Sequence, residues 1–227
     1  DMHSSWRKQE YQYYKAHRKI KREKQKADGM DWSALFQTIN TIILEIDEFF
    51  PYKVIRVPHA EGDDVIAVLA RNLPEKSIII SSDKDFTQLQ KYKNVKQYSP
   101  MTKKFIHEED PRGFLLEHIL KGDTSDGVPN VLSPDNTFTD GLRQKPLGKK
   151  KISSWADHEF SDVAPSDEVL RNYQRNKKLI DLTECPEELR EEILENFRSA
   201  EIPDRSKLLN YFIEKRLKTL TDSIGEF

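Results

Sequence analysis

The sequence predicts an α/β fold: a mostly parallel central sheet with flanking helices over residues 1–110, followed by a helical half over residues 111–227. Three observations predict it. Strand-like and helix-like segments alternate between residues 53 and 99. "SIIIS" (77–81) is a continuous apolar run, the pattern of a strand buried on both faces. After residue 110 the strand pattern stops and helical periodicity takes over.

The elements follow in order. "WRKQEYQYYKAHRKIKREKQK" (6–26) has no Gly or Pro and reads as one basic helix, ending near Asp28 and Gly29. In 31–50, apolar residues at 35, 36, 39, 42, 43, 46, 49 and 50 give a 3.6-residue period, with Asp31 or Ser33 as N-cap and Pro51 as the stop. "KVIRV" (53–57) reads as a short strand, and 61–73 as a helix starting near Gly62. "DFTQLQK" is a short helix after the apolar strand, and "VKQYS" (95–99) a further strand. "PRGFLLEHILKG" (111–122) is a helix closed by Gly122. Residues 129–147, rich in Pro, Asn, Asp and Gly, form a loop. Helices then run 149–158, 165–180, 186–198 and 205–217.

The 227 residues are 36 % hydrophobic and 33 % charged, with a net charge of −2. The near-neutral total hides a strong separation. Residues 7–26 carry nine Lys or Arg against two Glu, and 143–151 carry five with no acid. Cys185 is the only cysteine, which excludes an internal disulfide and Cys-based zinc sites and suits a reducing, cytoplasmic setting. No apolar run reaches the roughly 18 residues of a membrane span. His3, His17, His59, His107, His118 and His158 are dispersed without ligand spacing.

Acidic residues gather at the ends of elements. Asp1 opens the chain; Glu61, Asp63 and Asp64 follow the 53–57 segment; Asp83 and Asp85 follow the apolar strand; Asp123 and Asp126 follow the 111–122 helix. Ligands of parallel sheets bind beyond the carboxyl ends of strands, so these groups can face one crevice. Crowded carboxylates repel unless a cation neutralises them, and hard oxygen donors select Mg²⁺ or Mn²⁺ over zinc. Their number suits two ions about 4 Å apart, which serve phosphodiester hydrolysis. "DKDFT" also fits the Asp-x-Asp-x-Thr signature of haloacid-dehalogenase-type phosphatases, although an acidic helix and a strand precede it here. Arg7, Lys8, Lys15 and Arg18 interleave with Trp6, Tyr11, Tyr13 and Tyr14, a mixture that grips phosphates and stacks unpaired bases. Gly148 with Lys149, Lys150 and Lys151 opens a helix whose free N–H groups and cations suit another phosphate.

Taken together, Asp1, "YYKAHR", "EGDDVIA", "IIISSDKDF", "KGDTSDGVP" and "LGKKKI", in that order, resemble the five-prime nuclease, or flap endonuclease, family over nearly the whole chain. The resemblance implies a PIN-like nuclease core and a helix–turn–helix-type duplex-binding motif within 122–158. It implies hydrolysis of phosphodiesters near single-strand/duplex junctions, including hybrid substrates, to remove RNA primers in replication. Asp1, Asp63, Asp83, Asp85, Asp123 and Asp126 match the family's metal ligands, with Glu61 and Asp64 supporting them. Two Mg²⁺ ions are the implied cofactors, with Mn²⁺ as substitute. Tyr14, Lys15 and Arg18 match residues that hold the scissile phosphate, and Arg7 lies in the same basic segment. DNA and RNA/DNA junctions, a single-strand-binding protein and a sliding clamp are the implied partners of a monomer that binds no membrane. The family carries a further strand ahead of Asp1, with another metal-binding Asp, and this chain is expected to lack it. A non-catalytic junction-binding module is therefore the alternative expectation. The family's duplex-binding turn is also interrupted here by residues 132–146.

Overall fold

A computed structural model describes residues 5–156 and 158–227, except the side chain of Lys24. Helices α1 (Trp6–Glu10), α2 (Ala16–Ala27), α3 (Trp32–Phe49) and α4 (Gly62–Asn72) precede a three-stranded sheet of β1 (Ser77–Ile80), β2 (Val95–Ser99) and β3 (Lys104–Ile106). Then follow α5 (Pro111–Lys121), α6 (Lys149–Ala156), α7 (Phe160–Val163), α8 (Asp167–Ile180), α9 (Glu187–Ser199), α10 (Ser206–Glu214) and α11 (Lys218–Asp222). The sheet is mixed: β1 pairs parallel with β2, and β2 antiparallel with β3. A 3₁₀ helix, Lys84–Lys91, makes the crossover between the parallel strands and packs on α5. No helix among the described residues is long and apolar enough to cross a membrane.

Local rules explain the ends of these helices. Asp31 caps α3 by accepting from the Ala34 N–H at 3.0 Å, and Asp110 caps α5 through Gly113 at 2.9 Å. Pro111 sits in the first turn of α5, and Gly122 closes it at φ +69°.

Three expectations are corrected. The basic segment is not one helix, because Tyr11–Lys15 interrupts it and Lys15 turns back at φ +56°. Residues 53–57 form no strand, and they pair with none among the described residues. Strand β1 is buried on one face only: Ile79 is covered, while Ile78 and Ile80 face out. Helix α3 likewise keeps its predicted period yet has no buried residue.

The cores join sequence-distant segments. Trp6, Val57, Ala60 and Val68 pack with Cys185, Leu189 and Ile193. Ile79, Phe86, Leu89 and Val95 pack with Leu182. Tyr11 and Tyr14 pack with Ile119, Val128, Leu179 and Ile180. A further cluster, with Phe212 at its centre, gathers Phe49, Phe50 and Phe227. Burial raises the Cys185 thiol to about 12, so it is an inert packing group.

Candidate metal and phosphate site

Four of the predicted carboxylates converge. Asp63, in the first turn of α4, Asp85, in the 3₁₀ helix, and Asp123 and Asp126, after α5, line one narrow cleft with Tyr14. The enclosed space is about 10 Å³, room for roughly one water-sized sphere. Asp83 stays exposed beside it, capping the 3₁₀ helix by accepting from the Asp85 N–H at 3.0 Å. The turn that carries Asp123 and Asp126 is locked from within. Asp123 Oδ1 accepts from the Ser125 N–H and hydroxyl, at 2.7 and 2.5 Å, and the Val128 N–H bonds the Asp123 carbonyl at 2.8 Å.

The electrostatics are those of a crowded anionic site. Burial, with Asp83 and Glu61 nearby, pushes the Asp63 carboxyl up to about 6 against the pull of Lys15. Burial, with Asp123 and Asp83, pushes Asp85 up to about 7 against the pull of His118. Asp123 goes the other way: burial would raise it, but hydrogen bonds from His118 and Ser125 hold it well below the usual carboxylate range. Carboxylates that resist ionisation beside one another are the environment a bound cation relieves.

A second layer of cations and a phenol backs the acids. Lys15 Nζ lies 3.0 Å from Glu61 Oε1 and 3.7 Å from Asp126 Oδ2. Arg18 donates to Asp126 Oδ1 at 2.7 Å, with its side chain one-third exposed. The Tyr14 hydroxyl stands 2.8 Å from both Glu61 and Asp126. Burial, and then Asp126, push its pKa upward, so it stays protonated.

Comparison with known proteins gives the family. Residues 1–114 match the model for the 5'-3' exonuclease N-terminal resolvase-like domain, and 113–227 match that for the T4 RNase H C-terminal domain. Ribonuclease H of Enterobacteria phage T4 is 36 % identical over 231 residues, covering 98 % of this chain and 75 % of that protein. The chain belongs to the 5'-3' exonuclease family. Of solved structures, a phage T5 protein co-crystallized with metal ions matches at TM-score 0.61 and 18 % identity, over 87 % of this chain and 82 % of that one. A T5 5'-exonuclease with divalent zinc ions bound matches at TM-score 0.53 and 18 % identity, over 87 % and 81 %. Both show that the fold is shared. Family membership and the T4 relative, rather than the shared fold, show a nuclease that hydrolyses phosphodiesters, and neither a monoester phosphatase nor a non-catalytic module is favoured. Thr87, the last residue of the Asp-x-Asp-x-Thr reading, is buried inside the 3₁₀ helix.

The other predicted residues divide. Arg7 lines the cleft but is 1 % exposed, with its guanidinium engaged inside the protein. It donates twice to Asp64, at 2.8 and 2.7 Å, and through Nε to the Leu179 carbonyl at 2.9 Å. Asp64, wholly buried, also accepts from Trp6 Nε1 at 3.1 Å and the Glu61 N–H at 2.9 Å. The pair fixes α1 against α4 and leaves Asp64 no spare direction toward an ion. Glu61 is also buried and faces Tyr14 and Lys15. Gly148 is exposed just before α6, and Lys149, Lys150 and Lys151 are exposed in its first turn. Asp1 lies outside the described residues.

The dismissal of His118 is corrected. The last turn of α5 brings it, 7 % exposed, between Asp85 and Asp123. Together these three offer donors to a divalent cation within 4.8 Å of one another. Its five-residue offset from Asp123 brings the two side chains together only because Gly122 turns the chain back.

Proposed function

We propose that this chain is a divalent-cation-dependent 5'-nuclease that cuts near single-strand/duplex junctions and removes RNA primers and short flaps. The convergence of Asp63, Asp85, Asp123 and Asp126 on one cleft carries the reading, and family membership supports it. The name of the T4 relative adds RNA/DNA hybrids to the proposed substrates. A single-strand-binding protein and a sliding clamp are proposed partners.

Asp63, Asp83, Asp85, Asp123 and Asp126 would hold two Mg²⁺ ions, or Mn²⁺ in their place; their all-oxygen donor set fits such hard cations. When bound, these ions supply an activated water and stabilise the leaving oxygen. The chain's own groups do the rest. Arg18, partly open to solvent, meets the backbone of the incoming strand and orients the scissile phosphate. Lys15, held above the Tyr14 ring at 4.9 Å, is the inner counter-charge to that phosphate. Arg7 positions Asp64 and, through it, the start of α4 that carries Asp63. Residues 1–110 supply Asp63, Asp83 and Asp85, the region 111–227 completes the site with Asp123 and Asp126, and its helices seat the duplex with Lys149, Lys150 and Lys151 on its backbone.

The test uses a 5'-labelled flap and an RNA/DNA hybrid with Mg²⁺. Wild type cuts both, and Asp85→Asn lowers the cutting rate at least a hundredfold while retaining binding. Undiminished cutting by Asp85→Asn would refute the assignment of the cleft.

A further inference from the structure

His118 offers more to the cleft than its role as partner to Asp123. Its Nε2 lies 2.9 Å from Asp123 Oδ2. The tautomer that satisfies this pairing carries its proton on Nε2 and leaves a lone pair on Nδ1. Nδ1 faces Asp85 Oδ1 at 3.6 Å, too far for a hydrogen bond. Both atoms are shut off from solvent, and neither has a hydrogen-bond partner. Two acceptor atoms held face to face in a buried place, too far apart to share a hydrogen bond and with no other partner, are a costly arrangement. A metal ion resolves it. Two adjacent donors each about 2.1 Å from one octahedral ion stand roughly 3.0 Å apart, so a closure of about half an ångström would make the pair chelating. The opposite side of the ring already has what a ligating imidazole requires, since metal-bound histidines donate their other N–H to a carboxylate that fixes tautomer and orientation.

We infer that His118 supplies a nitrogen donor, Nδ1, to a divalent ion shared with Asp85, with Asp123 orienting the ring through Nε2–H. This rests on the divalent-cation reading above and deepens it. One of the two ion positions is then a mixed nitrogen–oxygen site. Imidazole nitrogen suits first-row transition ions better than Mg²⁺, so this position discriminates in favour of an ion such as Mn²⁺. Asp123 in this arrangement orients His118 through Oδ2, in addition to its place among the acids proposed to hold the ions.

Pulsed EPR of the Mn²⁺-loaded protein tests it. Wild type is expected to show nitrogen modulation that changes when histidine is labelled with ¹⁵N, a substitution that leaves the fold untouched. The modulation disappears in His118→Gln, and Mn²⁺ affinity falls about tenfold or more, while Mg²⁺ affinity changes less. Bound Mn²⁺ without a histidine nitrogen signal, lost on Asp85→Asn, overturns the inference and leaves the carboxylate site standing. That is also the outcome if His118 merely bridges the two acids as a protonated ring. Failure of wild type to bind either ion overturns both readings.

Discussion

Arg7 and Arg18 lie eleven positions apart in one basic stretch, and only burial separates their roles. Arg18 keeps a third of its side chain in solvent, whereas Arg7 is sealed against Asp64. Breaking a buried ion pair from one side strands the other charge, at about 3–5 kcal/mol. Arg7→Met is therefore expected to lower the urea midpoint strongly. Restoring apolar character at both ends, with Arg7→Met and Asp64→Leu together, recovers part of the loss. An unchanged midpoint in the single variant would show that the pair does not hold α1 in place. The acids of the cleft are legible in the sequence because they sit just beyond element ends, where side chains of different segments meet. The burial of Arg7 is not, because basic composition does not report depth. Nor is the place of His118, because its partner Asp85 lies thirty-three residues away, beyond any local spacing rule.

Helices are legible where period and caps agree, as in α3, α4 and α5. The interruption of the basic segment at Tyr11–Lys15 is not, since no Gly or Pro marks it. It is imposed from outside: the Lys15 N–H bonds the Asp126 carbonyl at 2.7 Å, drawing the chain onto the turn after α5. That turn depends on Gly122. A Cβ there would sit 2.3 Å from the Val128 carbonyl oxygen at φ +69°. Gly122→Ala is expected to cost about 1–3 kcal/mol in thermal or urea unfolding and to displace Asp123 and Asp126, so cutting falls with stability. Full activity in that variant would mean the turn can move without consequence. Helix α6 makes a different prediction, of charge alone. Replacing Lys149, Lys150 and Lys151 with Gln should flatten the salt dependence of duplex binding, measured by fluorescence anisotropy, by about 0.9 in log–log slope for each phosphate no longer neutralised. An unaltered slope would place the duplex elsewhere.

Across the whole molecule, the strand-containing part and the helical part share their cores. Ile193, fully buried on α9, packs among Trp6, Val57 and Val68. Ile193→Ala should cost about 2–5 kcal/mol. Near-ultraviolet and far-ultraviolet circular dichroism should shift together, because both parts unfold as one. Separate transitions would reveal independent units instead. The anchoring of Arg7 to the Leu179 carbonyl spans 172 positions and bears on how the protein is born. A ribosome adding about 5–20 residues per second needs on the order of ten seconds or more to travel that span. Throughout that interval Arg7 has Asp64 as a partner but lacks the Leu179 carbonyl, so α1 has no finished seat to enter. Assembly of the cleft is thus postponed until α8 has emerged, so a nascent chain halted before that helix is left without a completed reaction centre.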